Sequence, residues 1–157
     1  MPEPILPQKL VDFIHGPVEF ALGTLDAKLH PHGMFGFGIL ADGPSGRITI
    51  LIPESVGARV LADLELRPRV TVVVGDPVGH ETYQFKGTVV EVRPASAAED
   101  AVQDVYGDKF MGISLQLGLP VDQWALPPLK PSRAVVMQVT DYFLQTPGPG
   151  AGGRIGP

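Results

Sequence analysis

Apolar and polar residues recur with clear periods along most of this 157-residue chain. The sharpest pattern runs from Arg47 to Gly75. RITILI (47–52) is a β-rich run closed by Pro53. Residues 55–66 carry Val56, Val60, Leu61 and Leu64 at the spacing of one helix face. Pro68 stops that helix, and VTVVV (70–74) is a second β-rich run. Upstream, QKLVDFIH (8–15) gathers Leu10, Val11 and Ile14 on one side of a short helix. VEFALGTL (18–25) and MFGFGIL (34–40) read as two strands joined by a turn region, and DGPSG (42–46) is a hairpin turn. Gly36 and Gly38 share one face of their strand. That face has no side chains there, which suits close approach by something flat or by another chain.

Downstream of the DPVG turn (76–79), HETYQFKGTVVEVR (80–93) is the longest predicted strand. Its alternation places His80, Thr82, Gln84, Lys86 and Thr88 on one face and Tyr83, Phe85, Gly87 and Val89 on the other. An ordinary solvent face would alternate in the same way. Ser96 with Glu99 three positions on forms a capping box. It opens a helix that Gly107 is expected to break, with a second short helix over 109–117. Residues 120–131 hold four prolines and Trp124 and read as a loop. RAVVMQVTDYF (133–143) is the last strand. The tail 146–157 is so rich in glycine and proline that it is expected to form neither a helix nor a central strand. The pattern therefore predicts one mainly β domain over 1–145, followed by the tail. Its architecture is a six-stranded antiparallel barrel with helical inserts.

Composition narrows the function classes. Hydrophobic residues make up 44% and charged residues 18%, as in a folded globular chain. A net charge of −5 argues against nucleic acid as a partner. The absence of cysteine excludes disulfides, thiolate nucleophiles and Cys-ligated zinc. No apolar run approaches the ~20 residues of a membrane span, and the N-terminus shows no signal-peptide pattern, so a cytoplasmic location is expected.

Little of the remaining chemistry is catalytic in pattern. There is no G-x-S-x-G elbow and no G-x-x-x-x-G-K-[ST] loop. His30 and His32 flank a proline in a turn with no third ligand in view, so no metal site is expected. Two features stand out. Ser55 is placed to cap the helix over 55–66 with Arg59 one turn on, and a free helix N-terminus, a hydroxyl and a guanidinium together suit a phosphate. The simpler alternative is a plain cap, with Arg59 paired to Asp63 at i+4. The second feature is the ladder from His80 to Thr88, which offers donors and acceptors to a flat heterocycle.

Strand, helix and strand ending in R-P-R-V (67–70), followed by a strand ending in K-G (86–87), resemble the pyridoxamine 5′-phosphate oxidase-like split β-barrels that bind FMN. The segment HETYQFKG (80–87) and the tail TPGPGAG (146–152) are similar to a bacterial branch of that family. The resemblance implies a six-stranded split barrel, a homodimer, and FMN in the cleft between subunits. It implies that Arg59 binds the phosphate, with Ser55 substituting as a phosphate hydroxyl. It implies that Thr82 or Gln84 contacts the flavin ring, with His80 or Lys86 near the ring. The family's R-x-V-L-L-K strand corresponds here to GFGIL (36–40), without a basic residue, and its C-terminal arginine motif is missing. The resemblance therefore points away from vitamin B6 oxidation. It points to a flavin-dependent oxidoreductase of a small molecule. The alternatives are a non-catalytic module for flavin, haem or another planar cofactor, and a barrel that has lost its cofactor. The choice among FMN, FAD and a deazaflavin stays open.

Overall fold

A computed structural model describes residues 5–123 and 126–157. Three helices decorate one antiparallel sheet: α1 (Gln8–Ile14), α2 (Glu54–Leu66) and α3 (Ala97–Gln116). The strands are β1 (Glu19–Leu25), β2 (Pro31–Phe35), β3 (Ile39–Asp42), β4 (Arg47–Pro53), β5 (Arg69–Gly75), β6 (Thr82–Pro94), β7 (Ser132–Leu144) and β8 (Arg154–Gly156). Their order across the sheet is β2-β1-β5-β6-β7-β4-β3, with β8 on β7.

The two ends of that order are consecutive in the chain. Residues 36–38 carry the backbone from β2, beside β1, to β3, beside β4. Gly36 N–H still donates to Phe20 O and Leu51 N–H to Gly38 O. The sheet thus curls until its ends meet in sequence, without a ladder between β2 and β3. This is the expected split barrel. Curvature comes from β6, which shifts register against β7 at Lys86/Gly87 and again at Val89/Glu91. Phe20, Phe85, Ile48, Ile50, Ile52, Val72, Val74, Val135 and Met137 fill the interior.

The strand count is eight, not six, for two local reasons. The predicted strand over 34–40 is two strands, because the chain crosses the gap of the barrel at Gly36–Gly38. The glycine face there is not open to a visitor. A Cβ on Gly36 would fall 1.7 Å from the Phe20 ring, and one on Gly38 would fall 2.9 Å from Leu51. The eighth strand comes from the tail, where Arg154–Gly156 adds an edge to β7 as Gly152 N–H donates to Leu144 O. Edge pairing is compatible with a proline-rich segment because only one side of the strand must donate.

Helix α3 runs unbroken through Gly107, whose substitution would meet nothing within 4 Å. Its N-terminus carries the expected capping box. Glu99 N–H donates to Ser96 Oγ at 3.3 Å, and Ser96 N–H donates to Glu99 Oε2 at 2.8 Å. Buried Gln103, Ile113 and Ser114 fasten the helix to the barrel, which outweighs the propensity cost of about 1 kcal/mol per interior glycine. Among the described residues no helix is long and apolar enough to cross a membrane. Trp124, expected in a loop, lies outside the described residues.

Candidate functional site

Strand alternation in β6 holds from Thr82 to Thr88: Tyr83, Phe85 and Gly87 are buried, whereas Thr82, Gln84, Lys86 and Thr88 face outward. His80 does not join them. It sits before the strand with φ +63, and its N–H donates to Asp76 O. The DPVG turn closes through that left-handed residue instead of extending the ladder. Val90 is the extra residue of the second bulge, so simple alternation breaks there.

Gln145 and the first residue of the tail cover the upper ladder. Thr82 N–H donates to Thr146 Oγ1 at 3.0 Å, Gln145 N–H donates to Thr82 O at 2.8 Å, and Gln145 Nε2 donates to Gln84 Oε1 at 3.3 Å. Lys86 and Thr88 stay open. They line a groove of about 600 Å³ with Arg69 and Thr71 of β5, Thr140 and Asp141 of β7, and Thr24 of β1. Register explains the grouping, since Lys86 pairs directly with Thr71 on one side and Asp141 on the other. Lys86 Nζ lies 4.9 Å from the centre of the Phe143 ring, a cation–π contact. Asp141 is neutralised by Arg154 at 2.6 Å. Among the described residues Lys86 and Arg69 have no ion-pair partner, and four threonines line the groove beside them, with Thr24 and Thr140 already donating to Asp63 and Asp141. That donor set suits an anionic or acceptor-rich ligand.

The other candidate residues lie elsewhere. Helix α2 starts at Glu54, one residue earlier than predicted, with Pro53 at the N-cap and no side-chain cap. Ser55 is therefore inside the helix, and its Oγ donates to Pro128 O at 2.5 Å. The role read from capping is corrected: the serine ties α2 to the proline-rich loop. Arg59 is exposed and has no hydrogen-bond or ion-pair partner among the described residues. Neither Ser55 nor Arg59 lines the Lys86 groove.

The pairing of Arg59 with Asp63 does not occur, because Asp63 turns inward. Thr24 and His32 are cross-strand partners in β1 and β2, and α2 sets Asp63 over both. Thr24 Oγ1 donates to Asp63 Oδ2 at 2.6 Å, and His32 Nδ1 lies 2.7 Å from the same oxygen. The hydroxyl of Thr24, and then the imidazole, hold the Asp63 carboxyl below the usual carboxylate range. An ionised Asp63 accepts only, so His32 carries its proton on Nδ1. His30 turns the other way, to Asp26 at 3.2 Å. Among the described residues no group of three or more His, Asp or Glu side chains is placed to hold a metal ion. Sequence reasoning missed this network, although Asp63 between Val60 and Leu64 interrupts an apolar helix face and was a usable signal. Thr24→Val keeps the shape and removes the donor. It should lower Tm by about 5 °C near neutral pH. Because a depressed carboxyl stabilises only above its ordinary value, this difference should shrink as the solution is acidified through the Asp63 titration. Thermal scans across pH check both statements.

The chain matches the model of the pyridoxamine 5′-phosphate oxidase family over residues 6–145. No curated protein matches it significantly in sequence. Solved structures resemble it in fold at low identity. HupZ of Group A Streptococcus superposes with TM-score 0.57 and 16% identity, covering 94% of this chain and 99% of that one. An F420 reductase gives 0.53 and 16%, covering 83% and 93%. HutZ of Vibrio cholerae, described as a heme storage protein, gives 0.50 and 19%, covering 88% and 94%. With the split barrel, its ladder and a family match spanning nearly the whole described domain, the chain belongs to the pyridoxamine 5′-phosphate oxidase family.

Proposed function

We propose that this protein binds FMN and acts as a flavin-dependent oxidoreductase on a small molecule. The observation that carries this reading is the groove around Lys86, with threonine hydroxyls and two cations that have no ion-pair partner among the described residues, on the open face of a family barrel. Its donor set fits the carbonyl-rich edge of a flavin. Bound flavin would supply the hydride chemistry. The chain's own part is binding and electrostatics. Lys86 is the cation placed to stabilise negative charge on a ring, and the threonines can orient it. Arg59 remains the candidate for the phosphate. Because Arg59 and Lys86 stand apart in one chain, the reading includes a homodimer in which Arg59 of one subunit and Lys86 of the other face one ligand.

Two observations support the second reading, a barrel that has lost its cofactor: β3 has no basic residue, and Glu54 places negative charge in the first turn of α2, where a phosphate would sit. Haem in this groove is disfavoured, since among the described residues none of its lining side chains is a histidine, methionine, cysteine or tyrosine.

Absorbance of the protein before and after incubation with FMN, with unbound flavin removed, tests the proposal. A retained flavin band is expected. Arg59→Ala should weaken FMN binding by about 1.5–3 kcal/mol, the range for a bond to a charged group. A colourless protein that ignores FMN would favour the second reading, and monomers in sedimentation velocity would remove the shared cleft.

A further inference from the structure

A second cavity, of about 520 Å³, lies between the β2–β3 crossing, α3 and the chain after it. It shares no lining residue with the Lys86 groove. Its walls are aromatic and aliphatic, with Phe20, Phe35, Phe37 and Tyr106 prominent, and Phe20 and Tyr106 meet edge to face at 5.5 Å. Phe35 is 70% exposed, a large apolar side chain left in contact with water. Among the described residues the only carboxylates on the cavity are Glu19 and Asp108, and no Lys, Arg or His lines it. Both carboxylates are exposed, and neither enters an ion pair or hydrogen bond among the described residues.

Apolar walls bury a hydrophobic body, ring faces present negative potential, and two free carboxylates carry negative charge at the cavity. We infer that this cavity is a binding site for a small organic cation, an amine or quaternary ammonium on an aromatic or aliphatic body. An anion would meet repulsion from both carboxylates, and a neutral ligand would gain nothing from their charge. The site is thus opposite in chemistry to the Lys86 groove and independent of whether that groove holds flavin.

The full-length protein can be titrated by calorimetry with 4-phenylbutylamine, its neutral alcohol and its carboxylate, three probes of similar shape. The amine should bind about tenfold more tightly than the alcohol, and the carboxylate should not bind detectably. Gly107 lines the cavity from α3, and a Cβ there meets nothing within 4 Å. Gly107→Leu should therefore fold at least as stably as the parent, fill the cavity and abolish amine binding. The double variant Glu19→Gln, Asp108→Asn should keep alcohol binding and lose the preference for the amine. FMN retention should be the same in all variants. Equal affinity for amine and alcohol, undiminished binding in Gly107→Leu, or no binding of any probe would overturn the inference. So would a change of sedimentation coefficient in Gly107→Leu with no amine binding by the parent, because the cavity would then be part of a contact between two copies of the chain.

Discussion

Gly87→Ala is expected to cost about 3 kcal/mol or more, which for a chain of this size lowers Tm by about 6–12 °C. The added methyl would lie 2.3 Å from the backbone oxygen of Gln138 and 2.6 Å from Met137 Cε. The methionine can move, but the carbonyl cannot without parting β6 from β7, the two longest strands of the barrel. Gly87 stands where their register shifts, so the close approach is what allows the first bend in β6. The glycine is required for space and not for an unusual φ. The same argument makes Gly107→Ala a control of opposite sign. That position is open, lies inside a helix, and should gain up to about 1 kcal/mol. Chemical denaturation of the two variants beside the parent measures both. A Gly87→Ala protein as stable as the parent would mean that the bulge does not need the close contact. Because Gly87 borders the Lys86 groove, the destabilised variant should also lose ligand retention before it unfolds.

Glu99→Ala is expected to destabilise by about 2–3 kcal/mol at neutral pH. Glu99 is buried and does two jobs. Arg93 binds it through both terminal guanidinium nitrogens, at 2.7 and 2.8 Å, and the Glu99 Oε2 accepts the Ser96 N–H in the capping box. The Arg93 guanidinium is the main cause of a Glu99 carboxyl pulled down from 4.5 to about 2. Linkage caps that contribution at about 3 kcal/mol, and solvent around the half-exposed Arg93 reduces it, whereas loss of the cap adds about 1 kcal/mol. The sign follows from a depressed acid. The stabilisation is fully present above the ordinary value of 4.5 and is lost as pH falls toward 2. The gap between parent and variant should therefore be widest near neutrality and about half as large at pH 2.5. Urea melts at the two pH values measure it, and a gap that does not change with pH would assign Glu99 a packing role alone.

The sequence was most informative where one face of an element is buried and the other is wet. Apolar period placed α2, β1 and the ladder of β6 within a few residues, and the spacing of Ser96 and Glu99 placed the capping box that opens α3, although the break expected at Gly107 does not occur. It was least informative where the outcome depended on a distant partner. Gly36 and Gly38 read as an open face, but they are flat because Phe20 and Leu51 occupy the space. Ser55 read as a cap, but Pro53 had already turned the chain, so the hydroxyl was free to reach Pro128. His80 read as the first rung of the ladder and is instead the left-handed residue of a turn. Asp63 read as a surface partner for Arg59 because i+4 spacing is visible in one dimension, whereas the Thr24–His32 pair that captures it depends on strand register.

By itself the sequence determined a mainly β domain with one helix between the third and fourth predicted strands and another before the last, and the polar face of β6, because these follow from periodicity and local motifs; the resemblance of its motifs pointed to the family. Tertiary structure alone decided which polar residues lie together. Register brought Arg69, Thr71 and Asp141 around Lys86, and Gln145 and the first residue of the tail covered Thr82 and Gln84. The barrel left Arg59 apart from them all. Such groupings depend on contacts across tens of residues, which no local pattern encodes.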